Sequence, residues 1–218
     1  MQCGLKQHAL LSLFVLSVCS AQNPPPLNTV FPEYNLIGNS DANYVVTAGT
    51  NFGPNFEPFR AFDGGSLFFS TGATFQGTNN AYSGSLATTL ASGSTITADW
   101  LQIQSTEKKL ITAYTIRMRT TTNQIGGPAQ FYLVGGDSAT GPWNLIDFRT
   151  SMSWFSGETK TFFAPQSAYS TYRFLFTASS TTTVVQIDEI KFYFYAYPPP
   201  PPLPPAPPSP PPPPRPPS

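Results

Sequence analysis

Carboxylates and flat side chains are the residues of this chain best suited to chemistry. Asp188 and Glu189 are adjacent, and they stand where the last apolar alternation changes phase. Val185 and Ile187 share one parity, then Ile190, Phe192 and Phe194 take the other. A period of two cannot hold across that step, so one extra residue must be absorbed there, and a β-bulge is predicted. Two carboxylates at a bulge are either a hydrated surface turn or ligands for a hard cation, which takes six to eight oxygens. A second set combines Phe75, Tyr82, Trp154 and Phe155 with Gln76, Asn79, Asn80, Asn123 and Gln124. Aromatic faces beside planar amides, which donate and accept in pairs, suit a ring with C–H faces and hydroxyl edges. The plainer roles stay open: Asn and Gln form turns, and the aromatic rings fill cores.

Other chemistries are excluded by composition. The chain has two cysteines, Cys3 and Cys19, and one histidine, His8, all within the first 19 residues. That segment reads as a secretory signal: Lys6 supplies positive charge, Ala9 to Val18 is a short apolar run, and small residues follow at Ser20 and Ala21. The run is about half the length that a membrane-spanning helix needs. Cleavage after Ser20 or Ala21 leaves no disulfide, no Ser-His-Asp or Cys-His nucleophile and no ordinary zinc site. Eleven basic and eleven acidic residues balance, and losing Lys6 leaves a net charge of about −1 with no basic patch. Neither nucleic acid nor an anionic membrane is an expected partner, and no transmembrane segment is expected. A glycoside hydrolase would need two acids about 5–10 Å apart in a cleft, and nothing in the sequence marks such a pair.

The far end of the chain is as distinctive. Of the 21 residues from Pro198 to Ser218, sixteen are proline. Proline fixes φ and lacks an N–H, so an extended polyproline II rod about 65 Å long is predicted. No Asn-x-Ser/Thr sequon occurs, which makes the tail the expected glycan carrier. The organisation read from sequence is a signal peptide over 1–21, a linker over 22–32, a domain over 33–197 and a stalk over 198–218.

Between the ends, about 170 residues suffice for one domain with a sizeable core. Runs with helical period are absent, and short alternating segments predict an all-β fold. The strand candidates are Asn43–Ala48, Ala98–Gln104, Leu110–Arg119, Ala129–Val134, Trp143–Thr150, Glu158–Phe163, Tyr169–Thr177 and Val184–Tyr195. Tyr114, Ile116 and Met118 share one face of the third, and Tyr172, Phe174 and Phe176 one face of the seventh. Trp100 and Trp143 fall inside strands and are expected in the core, whereas Lys108-Lys109 reads as a solvated turn. Eight such strands form an antiparallel two-sheet sandwich or jelly roll. Alternating their direction sends the loops at 119–128, 150–157 and 178–183, with the segment 71–96, to one end. The loops at 105–109, 136–142 and 165–168 go to the other. Loops gathered at one end of a rigid sandwich are where recognition is commonly placed.

An ordered set of short motifs then resembles a known family. It runs Ala61-Phe62-Asp63-Gly64, Asp99-Trp100-Leu101-Gln102-Ile103, Ile111 to Ile116, Phe131 to Asp137, Trp143 to Asp147, Gly157 to Phe162, Tyr172-Arg173 and Ile187 to Phe192. Together these resemble the discoidin or coagulation-factor type C domains, which are galactose-binding-like, over roughly Tyr34 to Tyr193. The resemblance implies an eight-stranded antiparallel jelly roll and a structural calcium ion. The ion's side-chain ligands would be Asp63 and Glu189, with Ser66 offering a carbonyl. It also implies glycan recognition at the gathered loops, with Phe75, Asn79, Asn80, Tyr82, Asn123, Gln124 and Trp154 as candidates. Many members carry a terminal disulfide, which the processed chain lacks, and a Trp after the Asp-Gly, where Phe68-Phe69 stand here.

The tail resembles hydroxyproline-rich wall and matrix glycoproteins of green algae and plants, which implies an extracellular matrix or cell-wall location. The expected function is a secreted, non-catalytic, lectin-like module with a glycan or matrix glycoprotein as partner. The alternatives are an accessory module of a larger secreted enzyme and a structural matrix glycoprotein without a small-ligand site.

Overall fold

The computed structural model describes residues 29–65, 67–121 and 126–194. Ser66, Asn123, Gln124, the expected signal peptide and the proline stalk lie outside the described residues. The strands are β1 (Thr29–Phe31), β2 (Tyr44–Ala48), β3 (Phe69–Ser70), β4 (Ala87–Thr89), β5 (Thr95–Thr97), β6 (Asp99–Arg117), β7 (Pro128–Gly136), β8 (Asn144–Arg149), β9 (Thr159–Ser179), β10 (Gln186–Ile187) and β11 (Glu189–Phe194). Two short 3-10 helices, Pro58–Phe62 and Thr78–Asn80, are the only helices among the described residues. Neither is long or apolar enough to cross a membrane.

One ladder organises the rest. β6 pairs with β9 from Asp99↔Phe176 to Arg117↔Thr159, with register shifts between Gln104 and Lys109 and between Ile111 and Ala113. The first half of β6 also carries β2, and the matching half of β9 carries β7 and then β8. The second half of β6 carries β11 and then β1. In a flat sheet Tyr114 would lie roughly 40 Å from Leu101, the partner of Phe174. Instead the Tyr114 and Phe174 rings are 5.4 Å apart. The ladder therefore folds over on itself, and its two halves become the facing layers of an antiparallel β-sandwich.

This corrects two expected turns. Residues 105–109 and 165–168 lie inside β6 and β9, so two pairs of expected strands are fused. Extra residues taken up at register shifts bend a strand without ending it, so polar residues such as Glu107-Lys108-Lys109 look like a turn in sequence. Lys108 bonds Asp137 at 2.8 Å and Lys109 bonds Glu33 at 2.9 Å, which gathers residues of that end. The domain also begins earlier than residue 33. β1 lies in the expected linker, pairs with β11, and buries Phe31 against Phe192 with ring centres 5.0 Å apart.

The core between the layers is aromatic. Tyr114, Phe131, Phe162, Phe174 and Phe192 form a connected set of ring contacts. The buried residues Tyr114, Ile116 and Met118 follow the alternation read from sequence. On the outer face of the first layer, Trp143 joins a smaller cluster with Ala98, Val134 and Leu175. There the buried Arg173 guanidinium lies 4.3 Å from the Trp100 ring and 4.2 Å from the Trp143 ring. Gln102, Thr88 and the Ala139 carbonyl accept its hydrogen bonds, and burial lowers its pKa to about 10.

At the start of β6 the fully buried Asp99 holds two loops. Its carboxylate accepts from the Thr50 N–H and hydroxyl, the Trp100 N–H at 2.8 Å and the Thr74 hydroxyl at 3.0 Å. Burial pushes its pKa up against these donors. Removing the acceptor strands all of them, so Asp99→Ala should cost about 2–4 kcal/mol in urea unfolding. Thr50→Val, which removes one of the donors to Asp99 and the acceptor of the Gly72 N–H, should cost about 1–2 kcal/mol. Equal losses for the two variants would show that Asp99 does not act as the shared acceptor.

Candidate ligand site at the lower loop end

The loops expected to gather at one end are bonded to one another. Gly157 donates to the Arg119 carbonyl, Thr121 N–H to Ser156 Oγ at 2.8 Å, Ser180 to the Gly127 carbonyl and Phe75 to the Thr183 carbonyl. We call this the lower end. Its backbone is a connected surface carried by β6, β7, β9 and β10.

The side chains expected to face a ligand there are arranged differently. Phe75 is fully buried in the main core, which corrects its assignment to a binding face. The 71–75 segment is tied under 183–185, with Thr71 N–H donating to the Val185 carbonyl, and this places the Phe75 ring in the core. Trp154 is likewise buried: its indole N–H donates to the Pro128 carbonyl at 3.0 Å and its ring meets Phe162 edge-on. Its neighbour Phe155 is 73% exposed, so the outward ring of this pair is the phenylalanine. Tyr82 is half-buried against the core, and its hydroxyl accepts the Leu86 N–H. Asn79 and Asn80 both take positive φ, 57° and 54°, in the Thr78–Asn80 turn, a role to which asparagine is suited.

A pocket of about 280 Å³ opens at this end between the loop after the Asp63-Gly64-Gly65 turn, the end of β6 and Asp188. Both glycines of the turn take positive φ, 85° and 81°. A side chain at Gly65 would run into the Arg117 guanidinium, so the second glycine is also needed for space. Arg119 lies 4.5 Å above the Phe68 ring, and its Nη2 donates to Thr121 Oγ1 at 3.3 Å. Its Nε is buried without a partner among the described residues. Phe68 contacts Phe56, which contacts the 58% exposed Phe52, so an aromatic row leads outward from the pocket. Across the pocket Asp188 accepts from Arg117 Nε at 2.6 Å. A guanidinium stacked on an aromatic ring, with the hydroxyl-bearing Thr120 and Thr121 beside it, can hold a polar ring by its face and its edge.

Sequence reasoning passed over Arg119 and Phe68, although both left signals. Arg119 ends the parity of Thr115 and Arg117, opposite the core-facing residues, just where the strand runs into a loop. Phe68 stands in the region where many members of the family that the motifs resemble carry a tryptophan.

The phase change near Asp188 is present, but its form differs from a bulge. Ile187 pairs with Phe69 of β3, whereas Glu189 pairs with Arg117 of β6, so the chain changes partner strand at Asp188. This brings Glu189 beside Asp63. Glu189 is buried and its Oε2 has no hydrogen-bond partner among the described residues, with Arg117 Nη2 4.0 Å away. Its pKa rises to about 7, chiefly through burial, against Lys191 and Arg117 and with a further upward push from Asp63. Asp63 Oδ1 accepts the Gly65 N–H at 2.9 Å and Oδ2 pairs with Arg60 at 3.3 Å. An orphaned buried carboxylate oxygen beside a second carboxylate fits a calcium ion in charge and chemistry. No group of three or more Asp, Glu, His or Cys gathers among the described residues, so carbonyl oxygens would have to complete the shell.

No protein-family model matches the chain, and no curated protein matches it either. Solved structures do. Chitosan-binding module 1 of a chitosanase/glucanase from Paenibacillus sp. IK-5 aligns at 17% identity over 70% of this chain and 96% of that one, with a TM-score of 0.50. Module 2 of the same enzyme, in complex with chitotriose, aligns at 13% identity over 70% and 97%, with a TM-score of 0.51. The family 32 CBM of NanJ from C. perfringens, in complex with galactose, aligns at 13% identity over 69% and 93%, also with a TM-score of 0.51. Its fold is thus the galactose-binding-like β-sandwich.

Proposed function

We propose that the chain is a secreted, non-catalytic glycan-binding module held on a proline-rich stalk in the extracellular matrix or cell wall. The observation that carries this reading is the lower-end pocket, where Arg119 stacks on Phe68 beside Thr121. Sugars present C–H faces to aromatic rings and hydroxyls to planar donors, and this pocket offers both. The structural neighbours that bind chitotriose and galactose support the reading at the level of fold. The signal-like N-terminus and the proline tail support the location. A second reading is favoured by the Paenibacillus neighbours, which are modules of an enzyme: this chain would then be an accessory module of a larger secreted enzyme.

A glycan array with the full chain, with and without calcium, is the direct test. Binding to at least one glycan class is expected, and Phe68→Ala should weaken it about tenfold or more while the melting temperature moves by only a few degrees. A well-folded protein that binds no glycan would instead support a purely structural matrix role. For the accessory-module reading, the intact mass of the native protein decides: a mass well above that of the chain supports it.

Calcium belongs to the same proposal, with Asp63 and Glu189 as its side-chain ligands. The ion would tie the loop after the Pro58–Phe62 helix to β11 and supply charge to the buried Glu189 carboxylate. In chelator, the fold favours the protonated form of Glu189, because its pKa is raised. That contribution is present at low pH and is lost as pH rises from about 4.5 through about 7, amounting to roughly 3 kcal/mol. Calcium binds the ionised form, so the gap in melting temperature between calcium and chelator should widen over that window. The widening should vanish in Glu189→Gln. An identical chelator response in wild type and Glu189→Gln would sink the site.

A further inference from the structure

We infer that the lower-end pocket selects an anionic sugar, one whose ring carries a carboxylate or sulfate oxyanion. This rests on the glycan-binding reading of the same pocket and adds its charge preference. Three carboxylates, Asp63, Asp188 and Glu189, and three arginines, Arg60, Arg117 and Arg119, stand around the pocket, and their pairing is uneven. Asp188 is met by Arg117 at 2.6 Å, and Arg117 spends Nη2 on the Gly64 carbonyl at 3.2 Å. Asp63 is met by Arg60. Arg119 has no ion pair with a carboxylate among the described residues, yet its guanidinium lines the pocket. Its hydrogen bonding is also incomplete: Nη2 reaches Thr121, while Nε is buried with no acceptor.

Nε faces inward, whereas the outer nitrogens are not among the buried unpartnered atoms and spend one hydrogen bond between them among the described residues, so donors remain for an oxyanion in the pocket. Phe68 holds the guanidinium plane by stacking, which presets its orientation at little entropic cost. A neutral sugar can offer that plane only hydroxyl oxygens. A carboxylate or sulfate offers two oxygens at the spacing of the guanidinium fork, and charge-assisted bonds of this kind are about twice as strong as neutral ones. Thr120 and Thr121 beside the guanidinium can take neighbouring sugar hydroxyls. The row Phe68, Phe56, Phe52 gives apolar faces outward from the pocket for the next residues of an oligosaccharide.

The test uses the full chain in calorimetric titrations with two matched pairs of oligosaccharides of equal length: a polyuronate with its carboxyl-reduced neutral counterpart, and a sulfated galactan with its desulfated form. At least one acidic member should bind tenfold or more tighter than its neutral counterpart, with affinity falling as sodium chloride is raised. The member that shows the preference identifies carboxylate or sulfate as the anion. In Arg119→Gln the ratio of acidic to neutral affinity should fall towards one. In Arg119→Lys, which keeps the charge but loses the fork, it should fall part of the way. Equal binding of acidic and neutral members by the wild type, which involves no substitution, overturns the inference and leaves glycan binding standing. So does a preference that persists in a folded Arg119→Gln. Absence of binding to every member, by a protein whose melting curve is intact and which binds another glycan on the array, overturns this inference alone; absence of binding on the array as well overturns the glycan-binding reading with it.

Discussion

The constraint on which this molecule depends is the β6–β9 ladder. A single antiparallel pair runs through both layers of the sandwich, and every other strand of the main sheet hangs from one half of it or the other. Neither cysteine lies in the described residues, so no disulfide ties this domain together. The ladder's register shifts take over that work by bending 19- and 21-residue strands until their halves face each other. The aromatic rings then close the fold. Tyr114 touches Phe174 across the layers and its ladder partner Phe192 on β11, and large rings bury more area per residue than any aliphatic substitute.

The same ladder decides where polar groups are left incomplete. On the outer face Arg173 is buried but stacked on two tryptophans and fully engaged in hydrogen bonds, and Asp99 has a donor for each side of its carboxylate. In the core the Tyr114 hydroxyl donates to Asp147, which also holds Arg149. These groups fix the sandwich and have little left to offer a ligand. Among the described residues, five buried side-chain polar atoms lack a partner, and three of them belong to Arg60, Arg119 and Glu189. All three sit around the Asp63-Gly64-Gly65 turn and the end of β6. Unpaired polar atoms are expensive in a protein interior, and three of these five gather at one end of the sandwich.

Much of the fold was legible because it rests on local periodicity. The alternation of Tyr114, Ile116 and Met118, and the phase change between Ile187 and Ile190, each has its counterpart in burial. The site was far less legible. Trp154 and Phe155 are neighbours of similar chemistry, and nothing local says which turns inward. Phe75 reads as a loop aromatic until the 183–185 segment is laid over it. The fusion of expected strands at 105–109 was hidden for a related reason: a bend absorbed by a register shift has the same polar composition as a turn.

What the sequence determined by itself is what depends on residue type and spacing: an all-β domain, no Cys or His chemistry beyond residue 19, two carboxylates at a break in alternation, and a proline tail that cannot join a helix or sheet. Only the tertiary structure decided which aromatic rings reach the surface and that Arg119 lines a pocket without a carboxylate partner among the described residues. It also decided that Asp63 would stand beside Glu189, more than a hundred residues away in the chain. Those outcomes follow from the way long-range pairing brings strand ends and loops together, and side-chain exposure at a loop is fixed by what packs over it rather than by the residue's own preference.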